Sequence, residues 1–379
     1  MLLQRKFVRL LIVLLSFTLL TGCWDQKLLK DLKLVFIIGL DKGEDGQIIS
    51  NVAIRESKTL SVGGKPGEAS VAVVEGIGTT ISDTRLSLDR KIPGQFSPSK
   101  MRVCLIGEEL ATEDLYSLLD ILYRDPAAPL GAKLAIVEGT AGEIINMRSI
   151  KETLLTEAIS DLLITSEEDT LAVNETVQTV CPIMFDPTGD FSLPVLKKTE
   201  TKDVELTGVA LFNDKVYTGV KLDAEQSTLL ILLMGKKGKQ AQLNIVVHPE
   251  EQNFQNRHLM IGIKDVKRKV KSVVRSSTDI KIDMDLNLTA YVMEYPKDGL
   301  ISKKKVKELE KKVSQTIEEK VVEVVGIIQE ANSDVLRTGQ EVKIHHYDVW
   351  KKINWKEVYP NIEINPTVTV DIKGTGIIN

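Results

Sequence analysis

A chain of 379 residues, 43% of them hydrophobic and 27% charged, is too long for one ordinary core and predicts two or three domains. Its formal net charge of −4 excludes a dedicated nucleic-acid binder, which needs a basic face. Aromatic residues at 5% also leave too little for a platform that stacks single strands or sugars.

The chain opens on a basic head, Arg5, Lys6 and Arg9, followed by an apolar run over 10–20. That run has the length of a signal-peptide core and falls short of the roughly 20 residues a bilayer span wants. It ends at Leu20-Thr21-Gly22-Cys23, and small residues before a cysteine at this place resemble the bacterial lipobox. Residues 1–22 are therefore expected to be a lipoprotein signal peptide, cut before Cys23, with a diacylglyceryl group on the Cys23 sulfur. The alternative is an N-terminal transmembrane anchor with an incidental cysteine. Cleavage would leave 357 residues and move the net charge to −7, because the leader holds three basic and no acidic residues. Two acyl chains hold a protein at a membrane where one binds marginally. No later run approaches a span; the longest, 229–234, reads LLILLM.

The mature part alternates strand-like and helix-like patterns. Strands are expected over 34–40 and 48–54, then a Gly- and Pro-rich loop over 61–67. Val73, Val74, Ile77, Ile81 and Leu88 have near-helical spacing, so 70–88 reads as a helix interrupted by glycines. A strand over 101–106 precedes an amphipathic helix over 108–123, with Leu110, Leu115, Leu118, Leu119 and Leu122 on one side. A strand over 132–137 and helices over 141–147, 151–163 and 167–177 follow. Pro182, Pro187, Gly189 and Pro194 then mark a boundary. Beyond it come a hairpin, 204–212 and 215–220 across Asn213-Asp214, a short helix over 223–234 and a strand over 243–248. From Ile280 to Val292 every even position is apolar, a period of two that puts one face on a core. Val306, Leu309, Val313, Ile317, Val321, Val324 and Ile328 step by three and four, which predicts a long amphipathic helix over 302–328. A strand-like piece at 341–344 and an alternating strand over 362–372 close the chain. The fold class expected is mixed α/β or α+β, multi-domain, each domain a sheet packed with helices. The domains are an N-terminal α/β domain over 23–195, a middle domain over 204–262, and a C-terminal α+β domain over 263–379 whose long helix packs on a mainly antiparallel sheet.

Gly22-Cys23-Trp24-Asp25 with Leu28-Leu29 resembles the opening of the Ger(x)C family of spore-germination lipoproteins. FSPSKMRVCLIGEELA over 96–111, Tyr123-Arg124-Asp125-Pro126, and LTGVALF over 206–212 with Tyr217-Thr218-Gly219 also resemble its segments. So do Asp334, Gly339, Trp350, Trp355, Tyr359 and Gly374, in that order. The resemblance spans nearly all of the mature chain. It implies an outward-facing lipoprotein of the inner membrane of a dormant spore, the C subunit of a nutrient germinant receptor. Its partners would be an A subunit, a polytopic, transporter-like B subunit and membrane lipid through acylated Cys23. It implies α/β domains, no enzymatic activity and no cofactor, in a Gram-positive spore former.

The residues themselves ask for little chemistry. His248, His258, His345 and His346 form no zinc-spaced cluster, and His345-His346 reads as a strand-edge pair whose rings point to opposite faces. No nucleophile elbow or phosphate loop occurs; Gly63-Gly64-Lys65-Pro66-Gly67 reads as a flexible loop. Cys104 and Cys181 read as buried free thiols. The basic stretch KDVKRKVK over 264–271 reads as a solvated element or as a contact for anionic lipid. Trp24 reads as an interfacial residue or a cap on the first domain. Trp350, Trp355 and Tyr359 read either as a partner-binding patch or as a loop that buries its own aromatics. Two rivals remain to the receptor subunit: a solute-binding lipoprotein of a membrane transporter, and an envelope hydrolase.

Overall fold

The computed structural model describes residues 4–5, 32–56, 70–126, 128–150, 153–297 and 300–374. Cys23, Trp24 and the 61–67 loop lie outside the described residues.

The first half is built on a nine-stranded sheet of β1 (Leu32–Lys42), β2 (Ile48–Glu56), β3 (Ser70–Gly78), β4 (Gln95–Ser97), β5 (Val103–Gly107), β6 (Lys133–Val137), β9 (Ser192–Lys198), β10 (Val204–Asn213) and β11 (Val216–Leu222). A two-residue pair, β7 (Ser149–Ile150) and β8 (Thr153–Leu154), stands apart. The order β11-β10-β9-β6-β5-β1-β2-β3 has a parallel centre, with β4 also beside β1 and antiparallel hairpins at both margins. A central parallel strand is covered on both faces, so it is apolar on both. Val35, Ile38, Cys104, Ile106 and Leu134 pack one way, with α1 (Ile81–Asp89), α3 (Leu115–Arg124) and α6 (Val177–Met184). Ile37, Val103, Leu105 and Val137 pack the other way, with α4 (Ala141–Ile145) and α5 (Leu155–Glu168). The short α2 (Glu108–Ala111) precedes α3.

The second half carries a four-stranded sheet in the order β12-β13-β14-β15, from β12 (Gln242–Val246), β13 (His258–Val274), β14 (Ile280–Glu294) and β15 (Glu363–Gly374). Its pairs are antiparallel except the last, because β14 reaches β15 through the long α8 (Lys303–Glu330), which crosses over one face. The even-numbered residues Ile280 to Val292 and the α8 stripe Leu309 to Ile328 meet in one core. The fold is mixed α+β, with the long helix on a mainly antiparallel sheet.

Several expectations need correction. The 70–88 segment is a strand and then a helix. Gly76 and Gly78 let α1 fold back on β3, since a Cβ at either would sit 2.6 Å from the Thr84 backbone. The helix over 108–123 is broken, because the Asp114 carboxylate accepts from Tyr116 N and starts α3 afresh. Residues 169–176 are not helical; a Thr176–Thr179 capping box starts α6 later and carries it past Pro182. Residues 341–344 lie in α9 (Thr338–His345), followed by α10 (Tyr347–Trp350) and α11 (Trp355–Val358). His345 and His346 therefore end a helix and do not edge a strand. The stretch 204–262 has no sheet of its own. Its hairpin extends the first sheet, its β12 and the start of β13 belong to the second, and α7 (Ala224–Leu233) bridges them. The physical reason is the hairpin's two-sided burial: Ala210 and Phe212 enter the first core, while Val209, Leu211 and Leu222 join α7 in the second.

Candidate functional site at the seam between the halves

Among the described residues a dense polar network joins the two sheets at their seam. It starts from the turn after α8, where Asn332 and Arg337 both take positive φ, 49° and 56°. That turn buries Asp334. One carboxylate oxygen accepts from Thr338 N at 2.9 Å and Thr338 Oγ1 at 3.0 Å; the other accepts from Gly339 N at 2.8 Å and Trp355 Nε1 at 3.0 Å. The α9 N-terminus has no cap of its own at Arg337, so Asp334 supplies it. Full burial pushes the Asp334 carboxyl up to about 7, against four donors that favour the ionised form. Gly339 is required by space, since a Cβ there would lie 2.6 Å from Trp355 Nε1.

Asp190, just before β9, answers from the first half. Its buried carboxylate accepts from Asp214 N and Asp334 N, each at 2.7 Å, and pairs with Lys356 Nζ of α11. Asp190 N in turn donates to Asp334 O at 3.0 Å. Lys356 also donates to Asn213 Oδ1, and Ser333 Oγ to Phe212 O. Burial pushes the Asp190 carboxyl up, with Lys356 the main opposing cause. Gly189 lets the chains touch, because a Cβ there would meet Arg337 Cγ at 2.7 Å. A second strap ties the same halves: Gly238 N donates to Thr170 Oγ1, Gln240 N to Glu168 O, and Thr170 Oγ1 to Gln240 O.

The Asp190 network borders a cleft of about 780 Å³, lined by Glu175 and Thr179 from the first half and by Lys236, Arg268, Arg337 and Glu341 from the second. Arg268 donates through Nη2 to Leu336 O at 2.9 Å, while its buried Nε has no hydrogen-bond partner. Burial pushes the Glu175 carboxyl up, against the Thr179 hydrogen bond and the charges of Lys236 and Arg337. The cleft carries charges of both signs set among apolar side chains such as Ile183, Met234, Val270 and Leu336.

The residues singled out in the sequence fall in different places. Trp355 and Tyr359 are buried and Trp350 is half-buried, with ring centroids 5.6 and 6.0 Å apart along the series. They face the Asp334 turn, where Tyr359 OH donates to Ser333 O, so they serve the seam and not an outer patch. The four histidines are scattered: His248 meets Tyr295 OH, His258 meets Asn244, His345 meets Glu341 and His346 meets Ser272 O. No group of three or more His, Cys, Asp or Glu suited to a metal ion occurs among the described residues. Cys104 and Cys181 are both free. Cys104 is buried, which pushes its thiol up to about 12, whereas Cys181 is only half-buried. On β13, Lys267, Lys269 and Lys271 lie exposed beside Asn287, Asp285 and Asp283 of β14. Sequence reading missed Asp190 and Lys356. Asp334, Gly339, Trp355 and Tyr359 stood in the tail resemblance, but nothing in the sequence showed that they meet.

Two family models cover the chain almost end to end. One, described as spore germination protein N-terminal domain, matches residues 25–198; the other, described as spore germination B3/GerAC like, C-terminal, matches 207–376. The chain belongs to the Ger(x)C family of spore germination proteins. Its role accordingly lies in spore germination. It is 23% identical to the putative spore germination protein YfkR of Bacillus subtilis, over 99% of this chain and 98% of that protein. It is 24% identical to spore germination protein KC of the same organism, over 99% and 97%. The crystal structure of the GerBC protein superposes with a TM-score of 0.58 at 17% identity, covering 89% of this chain and 96% of that one. That likeness is one of fold, and it extends over both sheets. Among the described residues no helix is long and apolar enough to cross a membrane.

Proposed function

We propose that this chain is a lipid-anchored, non-enzymatic subunit of a spore nutrient germinant receptor, needed for receptor assembly or function and so for triggering germination. On this reading residues 1–22 are removed, and Cys23 carries the acyl chains. The protein then stands on the outer face of the cell membrane, which in the spore is the inner membrane, beside the receptor's A and B subunits. The observation that carries the reading is the end-to-end match to spore germination proteins in a chain that opens on a basic head, an apolar run and Thr21-Gly22-Cys23. The cleft between the halves is what favours the runner-up, a solute-binding lipoprotein of a membrane transporter. Such a protein closes on its solute about a hinge. The two straps and the shared core of β10, α7 and the second sheet oppose that motion. A saturable shift in melting temperature with one small solute would move the runner-up forward.

The test is Cys23→Ala in a sporulating host, with spores fractionated and germination followed over a panel of nutrients. The expected result is loss of the chain from the inner membrane together with failure of one nutrient response. Normal germination with the variant still membrane-bound would remove Cys23 as the essential anchor.

A further inference from the structure

At one end of the second sheet three segments converge. Val246 pairs with His258 and Met260 with Glu294, so the loop over 247–257 and residues 295–297 leave the sheet side by side, with residues 300–302 leading into the first turns of α8. They are fastened together by His248 Nε2 with Tyr295 OH at 2.9 Å, by Lys297 with Glu251, and by Lys312 Nζ donating to Val247 O at 3.3 Å. This tip leaves large apolar side chains in water: Phe254 is 68% exposed and Ile301 73%, with Met293 and Val246 also exposed. Phe254 borders a hollow of about 300 Å³ shared with Met260 and Pro296.

Beside them stand Lys303, Lys304 and Lys305, all exposed in the first turn of a 28-residue helix that holds no acid in that turn. Cations at a helix N-terminus oppose the helix dipole and its free N–H groups. Among the described residues none of these three lysines has an ion-pair partner, and none faces an acid across a strand as Lys269 and Lys271 of β13 face Asp285 and Asp283. The acids at the tip are partly engaged already, Glu251 by Lys297, Glu250 by His248 Nδ1 at 3.2 Å and Glu310 by Lys307; Glu294 and Glu308 remain. Ser302 Oγ caps this terminus by accepting from Lys305 N at 3.5 Å but brings no negative charge, and a local rule left broken in this way is expected at a functional site. Free cations flanking exposed apolar side chains match the layered chemistry of an anionic bilayer, phosphates outside and acyl chains beneath.

We propose that this tip docks on an anionic lipid surface, with Phe254 and Ile301 at the acyl boundary and Lys303, Lys304 and Lys305 on the headgroup phosphates. The inference rests on the membrane-attached reading above and gives that attachment an orientation. The test uses the full lipidated chain bearing Cys181→Ser and Ile301→Cys, labelled at 301 with an environment-sensitive fluorophore and mixed with vesicles. On phosphatidylglycerol vesicles we expect a blue shift and quenching by spin-labelled acyl chains, both lost in 0.5 M salt, on phosphatidylcholine vesicles, and in Lys303→Glu/Lys304→Glu/Lys305→Glu. Acids suit a helix first turn, so that variant should keep its melting temperature while losing the shift. Flotation with neutral vesicles reads the Cys23 anchor separately, so either idea can fail alone. The same spectrum on both lipids and in the charge-reversed variant would overturn the docking surface.

Discussion

Asp334 accepts hydrogen bonds from Thr338 N and Oγ1, Gly339 N and Trp355 Nε1, yet burial still carries its carboxyl up to about 7. An unfolded aspartate releases its proton near pH 4, so between about pH 4 and pH 7 the folded chain holds a proton that the unfolded chain has lost. The stability this group contributes is therefore full below the unfolded value and is lost as the pH rises through about 7. Burial moves Asp190 the same way, with Lys356 opposing it, and the charge of Arg268 also bears on Asp334. Asp334→Asn removes the titration while keeping the shape. Its amide has one acceptor oxygen and places donors where four donors converge, so at pH 5 the variant should be less stable by about 1–3 kcal/mol. Thermal unfolding followed from pH 5 to 8 should show a melting temperature that falls with pH in the wild type and a shallower slope in the variant. Parallel curves would mean that Asp334 is ionised throughout, its donors outweighing its burial.

At the scale of the element, α8 and β15 show how an open sheet edge is closed without another strand. Val368 N donates to Glu318 Oε2 at 2.8 Å, Val370 N to Ser314 Oγ at 2.9 Å and Ile372 N to Glu310 Oε1 at 2.9 Å. Helix positions four apart lie on one face, and strand amides two apart point one way, so the two periods match over three rungs. An edge with its amides occupied cannot template a further strand. Glu310→Ala and Glu318→Ala should each cost about 1–3 kcal/mol by leaving an edge amide unpaired. Hydrogen exchange should then speed up at Ile372 and Val368 respectively; unchanged exchange at those amides would show that the glutamates do not protect the edge. The core of this half was legible because it is one-sided: the even positions of 280–292 and the three-and-four steps of 302–328 each bury a single face. The rungs were not, since Glu310 and Glu318 look like solvent-face glutamates until a strand 62 and 50 residues later reaches them. The 70–88 segment failed for a related reason. Its valines fit a helix by spacing, and only the close approach of Gly76 and Gly78 to α1 reveals a strand covered by a helix.

For the whole molecule the decisive contacts join residues far apart in the chain, Asp190 with Asp334 and with Lys356, and Thr170 with Gly238. No periodicity reports such pairs, which is why the two sheets could be anticipated and the seam could not. The proline-rich stretch 182–194 reads as a boundary in sequence, and it carries Gly189 and Asp190 into the interface. A body fastened in this way presents its outer faces in a fixed relation, which suits the membrane-attached receptor subunit proposed above. The fastening makes a prediction about cooperativity. The Asp190 carboxylate is fully buried and Lys356 is its counterion, with two backbone amides as its other donors. Lys356→Ala leaves a buried charge without a cation, a change that costs about 3–5 kcal/mol. That loss falls on the seam and leaves both sheets' own cores intact. Calorimetry should therefore show one unfolding transition in the wild type and, in the variant, a lower-melting profile that separates into two. Lys356→Ala combined with Asp190→Asn removes both charges, and should recover part of the loss and bring the transitions back together. A variant that melts lower but in a single transition would place the coupling in the shared core of Val209, Leu211, Leu222 and α7, with the ion pair contributing stability only.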